Sequence, residues 1–254
     1  MFEARMIQGV LLKKLVEALK ELVQHVNISC DHTGITIQSM DNSHVSLVGV
    51  SLRSEGFETY RVDRAMVLGI NLGSMAKILK CAPNDAVITL STNSEETLEF
   101  TFEQPKSDTV AMYQLKLMDI EDAPMDVPEI AHDARIDMPS VDFQKICRDM
   151  GSMGDNLIIR CSKEGVRFST TGELVGAANI NIKPSAPDVE IPTVVHVSEP
   201  VDMTFALRYL GLFTKATPLS PTVSLCIKRE HPLIVEYRLQ DVGRVRFYLA
   251  PRYD

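Results

Sequence analysis

Tryptophan is absent from this 254-residue chain, and all aromatic residues together make up 6% of it. Stacking single-stranded bases needs a platform of aromatic side chains, and here phenylalanine and tyrosine fall largely within apolar strand patterns. No apolar run approaches the ~18 residues of a membrane span. The amino terminus, Met1-Phe2-Glu3-Ala4-Arg5, lacks the layout of a secretory leader. The expectation is a protein of the cytosol or nucleus with no membrane partner. Five cysteines, Cys30, Cys81, Cys147, Cys161 and Cys226, are odd in number, scattered, and without a CxxC pair. That pattern suggests neither a disulfide framework nor a zinc site, and buried, reduced thiols are expected.

Catalytic signatures are missing as well. There is no GxxxxGK[ST] loop, no HExxH and no GxSxG. The six histidines, His25, His32, His44, His132, His196 and His231, show no ligand spacing. No carboxylate pair stands out from a solvated acidic surface, so neither an enzyme nor a bound metal or cofactor is expected. No zinc finger or RNP-like motif occurs either, which argues against sequence-specific base reading.

What is present is an ordinary globular composition, 45% apolar and 24% charged, with length enough for one large domain or two smaller ones. The chain looks duplicated. Ile28-Ser29-Cys30-Asp31-His32-Thr33-Gly34-Ile35-Thr36-Ile37 matches Ile159-Arg160-Cys161-Ser162-Lys163-Glu164-Gly165-Val166-Arg167-Phe168 in its cysteine, glycine and alternating apolar positions. Glu3 to Met6 resembles Asp133 to Ile136 upstream, and Lys80 to Pro83 resembles Lys215 to Pro218 downstream. Between the halves, Met118 to Asp133 holds six acidic residues, two prolines and no Lys or Arg, which reads as an extended surface linker. The expected division is 1–117, a linker over 118–133, and 134–254.

Ten short, β-branched, often alternating segments read as strands: Ile35 to Gln38, Val45 to Leu52, Val87 to Leu90, Leu98 to Phe102, Met112 to Leu117, Val166 to Ser169, Ala177 to Ile182, Val223 to Ile227, Leu233 to Tyr237 and Val245 to Leu249. Four segments carry helical spacing: Gly9 to Val23, Leu72 to Cys81, Val141 to Met150, entered at Pro139-Ser140 with Ser140 as N-cap, and Ala206 to Lys215. The fold class is therefore α+β, two similar domains of antiparallel sheet with two helices each. Charge is sorted between these elements. The four helical windows contain nine basic residues (Lys13, Lys14, Lys20, Lys77, Lys80, Lys145, Arg148, Arg208, Lys215) and four acidic ones, leaving 17 basic and 30 acidic elsewhere in a chain of net charge −8. Cationic helices in an acidic body suit non-specific contact with duplex phosphates.

The segment from Gly34-Ile35-Thr36-Ile37-Gln38-Ser39-Met40-Asp41-Asn42-Ser43-His44-Val45 to Leu52-Arg53-Ser54-Glu55-Gly56-Phe57 resembles the eukaryotic sliding-clamp family of proliferating cell nuclear antigen. So do Phe2 to Arg5, Leu12-Lys13-Lys14, Ser74 to Cys81, Leu117-Met118-Asp119, Ile146 to Asp149, Phe213 to Leu219 and Tyr248 to Pro251, almost end to end. Val62 stands where the family's Arg-Cys-Asp-Arg motif has cysteine. The resemblance implies a clamp fold closing into a ring as a head-to-tail homotrimer in the nucleus, with helices lining a central hole for duplex DNA. It places the DNA-binding segment at Arg61 to Lys80. It implies subunit contacts through Tyr113, Leu115 and Leu117 of one copy and Leu174, Ala178, Ile180 and Ile182 of the next. It also implies a pocket for a short hydrophobic peptide motif formed by Met40, His44, Val45, Leu47, Met125, Val127, Pro232, Tyr248, Ala250 and Pro251. DNA polymerases, the clamp loader, and flap endonuclease and DNA ligase type proteins are the implied partners. Lys163 matches the family's lysine that accepts ubiquitin or a ubiquitin-like modifier. A subunit of the heteromeric checkpoint clamps, which share the fold, is the alternative.

Overall fold

The computed structural model describes residues 1–121, 125, 127, 130–173, 176–185 and 189–253. In chain order the elements are β1 (Phe2–Met6), α1 (Gly9–Leu19), β2 (His25–Asp31), β3 (Gly34–Met40), β4 (Ser46–Arg53), β5 (Thr59–Val62), β6 (Met66–Asn71), α2 (Leu72–Lys80), β7 (Val87–Thr92), β8 (Thr97–Glu103) and β9 (Val110–Lys116). They continue as β10 (Ala134–Pro139), α3 (Ser140–Gly151), β11 (Asn156–Ser162), β12 (Gly165–Gly172), β13 (Gly176–Ile182), β14 (Val194–Val197), β15 (Val201–Ala206), α4 (Leu207–Phe213), β16 (Thr222–Ile227), β17 (Leu233–Leu239) and β18 (Gly243–Leu249). Two compact units emerge. The first comprises Met1–Asn42, Val48–Met125 and Leu239–Val245; the second comprises Ser43–Leu47, Asp126–Arg238 and Arg246–Asp254.

The two series have the same plan. In the first unit the strand orders are β5-β1-β7-β8-β9 and β6-β2-β3-β4; in the second they are β14-β10-β16-β17-β18 and β15-β11-β12-β13. Strand for strand these orders correspond, so the sequence repeat is a structural one. Its clearest signature is the pair of hairpins β2-β3 and β11-β12. Asp31 pairs with Gly34, and Ser162 with Gly165, so each loop has two residues. Gly34 and Gly165 have φ of 144° and 142°, where a side chain is strained. A Cβ on Gly34 would lie 2.0 Å from the Leu52 carbonyl oxygen, and one on Gly165 2.3 Å from that of Ile182. Glycine at this point lets the next strand close against the hairpin.

Each core forms where alternating strand residues meet the apolar face of two helices. In β1, Phe2, Ala4 and Met6 point inward. In α1, Leu12, Leu15, Val16 and Leu19 are buried, whereas Lys14 and Glu17 are exposed, the stripe that a 3.6-residue period requires. Burying each such leucine contributes ~1.5–3 kcal/mol. In the second unit Phe213 stacks on Phe247 at 4.6 Å, and Tyr237 meets Phe247 edge-on at 6.2 Å.

Most helix ends shift by a residue or more from the sequence reading, and three differences have a structural cause. Helix α1 stops at Leu19 rather than Val23. Leu22 and Val23 are buried from a turn in which both donate to the Leu19 carbonyl, so the apolar spacing outlasts the helix. Ser140 is the first residue of α3, not its N-cap; its hydroxyl donates to the Ser220 carbonyl at 2.6 Å, a buried tertiary bond. Helix α4 gives way at Thr214 to a 3-10 turn, Thr214–Leu219, that contains Pro218. Proline has no N–H with which to continue an α-helical ladder, and Lys215 therefore sits in this tighter turn.

Candidate nucleic-acid interface

In the first unit the basic residues of α1 and α2 divide into two groups. Lys14, Lys77 and Lys80 are exposed. Lys77 and Lys80 occupy the last turn of α2, where a cation also favours the helix dipole, and the helix is fixed at its start by Asn71, whose side-chain oxygen accepts from the Ser74 N–H at 2.8 Å. Lys13 and Lys20 are half-buried. Lys13 donates to the Ala82 carbonyl and, at 3.1 Å, to Asn84, while Lys20 pairs with Glu17 at 2.5 Å. These two ammonium groups tie down their surroundings.

The rest of the segment Arg61 to Lys80 is partly neutralised. Arg61 reaches Asp63 at 3.0 Å and Arg64 reaches Glu95 at 2.9 Å. Hydrogen bonds from Arg61 and from the amino-terminal ammonium hold the Asp63 carboxyl below its usual range. Arg61 and Arg64 are exposed as well, but among the described residues the exposed cations of this segment that no carboxylate pairs are Lys77 and Lys80, both on α2.

The second unit repeats the arrangement with other residues. Lys145 and Arg148 are exposed on α3 and Arg208 on α4, while Lys215 is half-buried. Arg148 pairs with its neighbour Asp149 at 3.0 Å. The Arg208 guanidinium lies 4.7 Å from the centre of the Tyr209 ring and donates to its hydroxyl at 3.0 Å, which fixes the direction of a long side chain.

Of the residues expected at subunit contacts, Tyr113 and Leu115 lie on β9, with Leu117 just past its end, and Ala178, Ile180 and Ile182 lie on β13; both strands are sheet edges. Strand β9 ends the five-stranded sheet and pairs with β8; β13 ends the four-stranded sheet and pairs with β12. Among the described residues neither has a strand on its other side, and such edges favour pairing with another chain. Tyr113, Leu117, Ala178, Ile180 and Ile182 are half-buried and Leu115 is buried; Leu174 lies outside the described residues.

The expected peptide-pocket residues fall in both units. In the first are Met40, at the end of β3, and Met125; in the second are the other eight, where the Ala250 N–H donates to the Val45 carbonyl at 3.1 Å. Leu47 is buried, Val45, Val127, Tyr248 and Pro251 are half-buried, and His44, Pro232 and Ala250 are exposed. Linker residues are anchored by one backbone carbonyl and two side chains that the sequence reading did not single out. Within the first unit, Met118 N–H donates to the Gly69 carbonyl at 3.0 Å, and Asn27 donates to that of Ile120 at 3.0 Å. Gln38 both donates to and accepts from the Met125 backbone at 2.8 Å. The anchors come from β6, β2 and β3, neighbouring strands in one sheet. A polar residue at a part-buried strand position was the available signal.

Lys163 is exposed at the tip of the β11-β12 hairpin. Four cysteines are buried, and burial pushes the thiols of Cys30 and Cys161 up to about 12 and that of Cys226 to about 11. Cys81 is exposed at the C-terminal end of α2, contrary to the expectation of burial for all five.

Twice-repeated antiparallel sheets with paired helices define the DNA-clamp fold. Family models for the N-terminal and C-terminal domains of proliferating cell nuclear antigen match residues 1–125 and 126–252, and the chain belongs to this family of DNA sliding clamps. The family works in DNA replication and repair, with polymerase-type partners and self-association.

Proposed function

We propose that three copies of this chain close head to tail into a nuclear ring around duplex DNA and that the ring tethers polymerases and other replication and repair proteins without catalysing a reaction itself. The observation that carries this reading is the twofold recurrence of exposed cations on a helix pair, Lys14, Lys77 and Lys80 in one unit and Lys145, Arg148 and Arg208 in the other, within a chain of net charge −8. These groups suit weak, sequence-independent contact with phosphates, which permits sliding. The edges at β9 and β13 support closure, since pairing them between copies satisfies backbone groups on both strands. Met40, His44, Val45, Leu47, Met125, Val127, Pro232, Tyr248, Ala250 and Pro251 are proposed to receive the aliphatic and aromatic anchors of partner peptides, and Lys163 to accept a protein modifier at its exposed hairpin tip.

Light-scattering mass over a dilution series, followed by retention on circular and linear DNA after loading, tests the ring. A trimer mass with retention on circles and loss from linear ends is expected. A chain that forms a ring only when unlike subunits are added would be a checkpoint-clamp subunit instead. A stable monomer retained equally on both DNAs would overturn the ring.

A further inference from the structure

A second concentration of cations lies away from the helices, on the solvent face of the sheet β13-β12-β11-β15. The strand register places Asn181, Arg167, Arg160 and Asp202 in one row across its four strands. Arg167 and Arg160 stand directly opposite each other on β12 and β11, an arrangement that is unfavourable for like charges. Arg160 donates to Asp202 at 2.7 Å, but Arg167 donates to the neutral amide oxygen of Asn181 at 2.6 Å, so one carboxylate serves the two guanidiniums.

Two grooves meet beside this pair and share Arg160 and Cys161. One, of about 390 Å³, is also bounded by Arg167, Lys183 and Glu164. The other, of about 760 Å³, runs past Asp202 and Glu230 to Arg229 and Arg252. The Arg229 and Arg252 guanidiniums donate to neutral acceptors, the Pro200 carbonyl and the Asn156 amide oxygen, each at 2.7 Å. These bonds aim the side chains without reducing their charge.

We infer that this face docks an extended, carboxylate-rich segment of a partner protein. A guanidinium fork matches a carboxylate geometrically, and the row spans roughly 14 Å, the length of four or five extended residues. The carboxylates of Glu164, Asp202 and Glu230 among these cations disfavour nucleic acid, which carries a negative charge at every nucleotide and has no neutral units to set against them. A peptide can set neutral residues against these carboxylates and acidic ones against the arginines. The inference stands on the second unit alone and does not require the ring.

The test is fluorescence anisotropy with the full-length protein and a labelled decapeptide of alternating glutamate and glycine, beside a glutamine–glycine peptide and a short DNA duplex. The acidic peptide should bind saturably, and Arg160→Glu/Arg167→Glu should weaken it by about tenfold or more. Arg160→Gln/Arg167→Gln should weaken it in the same direction, and it reads the effect if the charge-reversed pair fails to fold. Lys106→Glu, at an exposed site elsewhere, should bind as the parent does. Equal binding by the parent and the glutamine pair, no saturable binding by the parent, or loss of duplex rather than peptide affinity in the arginine variants would overturn the inference.

Discussion

Among single residues, Glu236 carries the clearest electrostatic consequence. Its carboxylate is nearly inaccessible on β17 and accepts from Arg246 at 2.5 Å and Arg238 at 3.0 Å. Burial pushes its pKa up, but the two arginines outweigh burial and hold it below the usual range. Asp137 behaves alike: burial raises it, and hydrogen bonds from Arg135 and Ser224 lower it further. A depressed carboxyl pKa contributes stability above the unfolded value, and that contribution is lost as pH falls through the folded value. Glu236→Gln should therefore cost about 2 kcal/mol at neutral pH. The deficit should shrink below about pH 4, where the parent's own carboxylate becomes protonated, first in the unfolded chain and then in the folded one. Urea unfolding across pH checks this, and a deficit that stays constant into acid would contradict it.

At the scale of elements, the hairpins are the sharpest case. Gly34→Ala or Gly165→Ala puts a Cβ into a carbonyl oxygen of the neighbouring strand and a side chain at a φ near 140°. Each should destabilise its own unit by about 2 kcal/mol or more, read as a lower melting temperature. A neutral result would mean that Ile182 or Leu52 moves aside easily. These glycines were visible in the sequence as part of the repeat, because the two-residue loop leaves a fixed pattern of apolar residues around them. Strands such as Phe2–Met6 and Val201–Ala206 were not read as strands. They are only five and six residues long, and Phe2–Met6 holds no β-branched residue, so a strand signal that rests on β-branching is weak there despite the alternation. Arg5 finds Glu58 and Glu103 only once distant strands are paired.

For the whole molecule, the sorting of charge gives a graded prediction. Charge reversal at Lys77, Lys80 and Arg148 should shorten retention on circular DNA and reduce the salt dependence of binding, by about 0.9 in log–log slope for each phosphate no longer neutralised. Reversal at Lys20 should cost stability as well, because it places a carboxylate beside Glu17. Unchanged retention of the triple variant over a range of salt would remove these residues from the DNA interface. The light-scattering mass should stay that of the parent, since none of these residues lies on β9 or β13.

The duplication, the antiparallel α+β class and the concentration of cations on four helical segments were all settled by the sequence. Periodicity and composition are local properties, and they survive without knowledge of which strands pair. Which cations stay exposed was decided by tertiary structure. Lys13 and Lys14 are adjacent, yet Lys13 bonds to Ala82 beyond the end of α2 while Lys14 faces solvent. The same holds for the clip between Gln38 and Met125 and for the arginine row across β11 and β12. Each joins residues from different strands or segments, and their meeting depends on sheet register rather than on any local pattern.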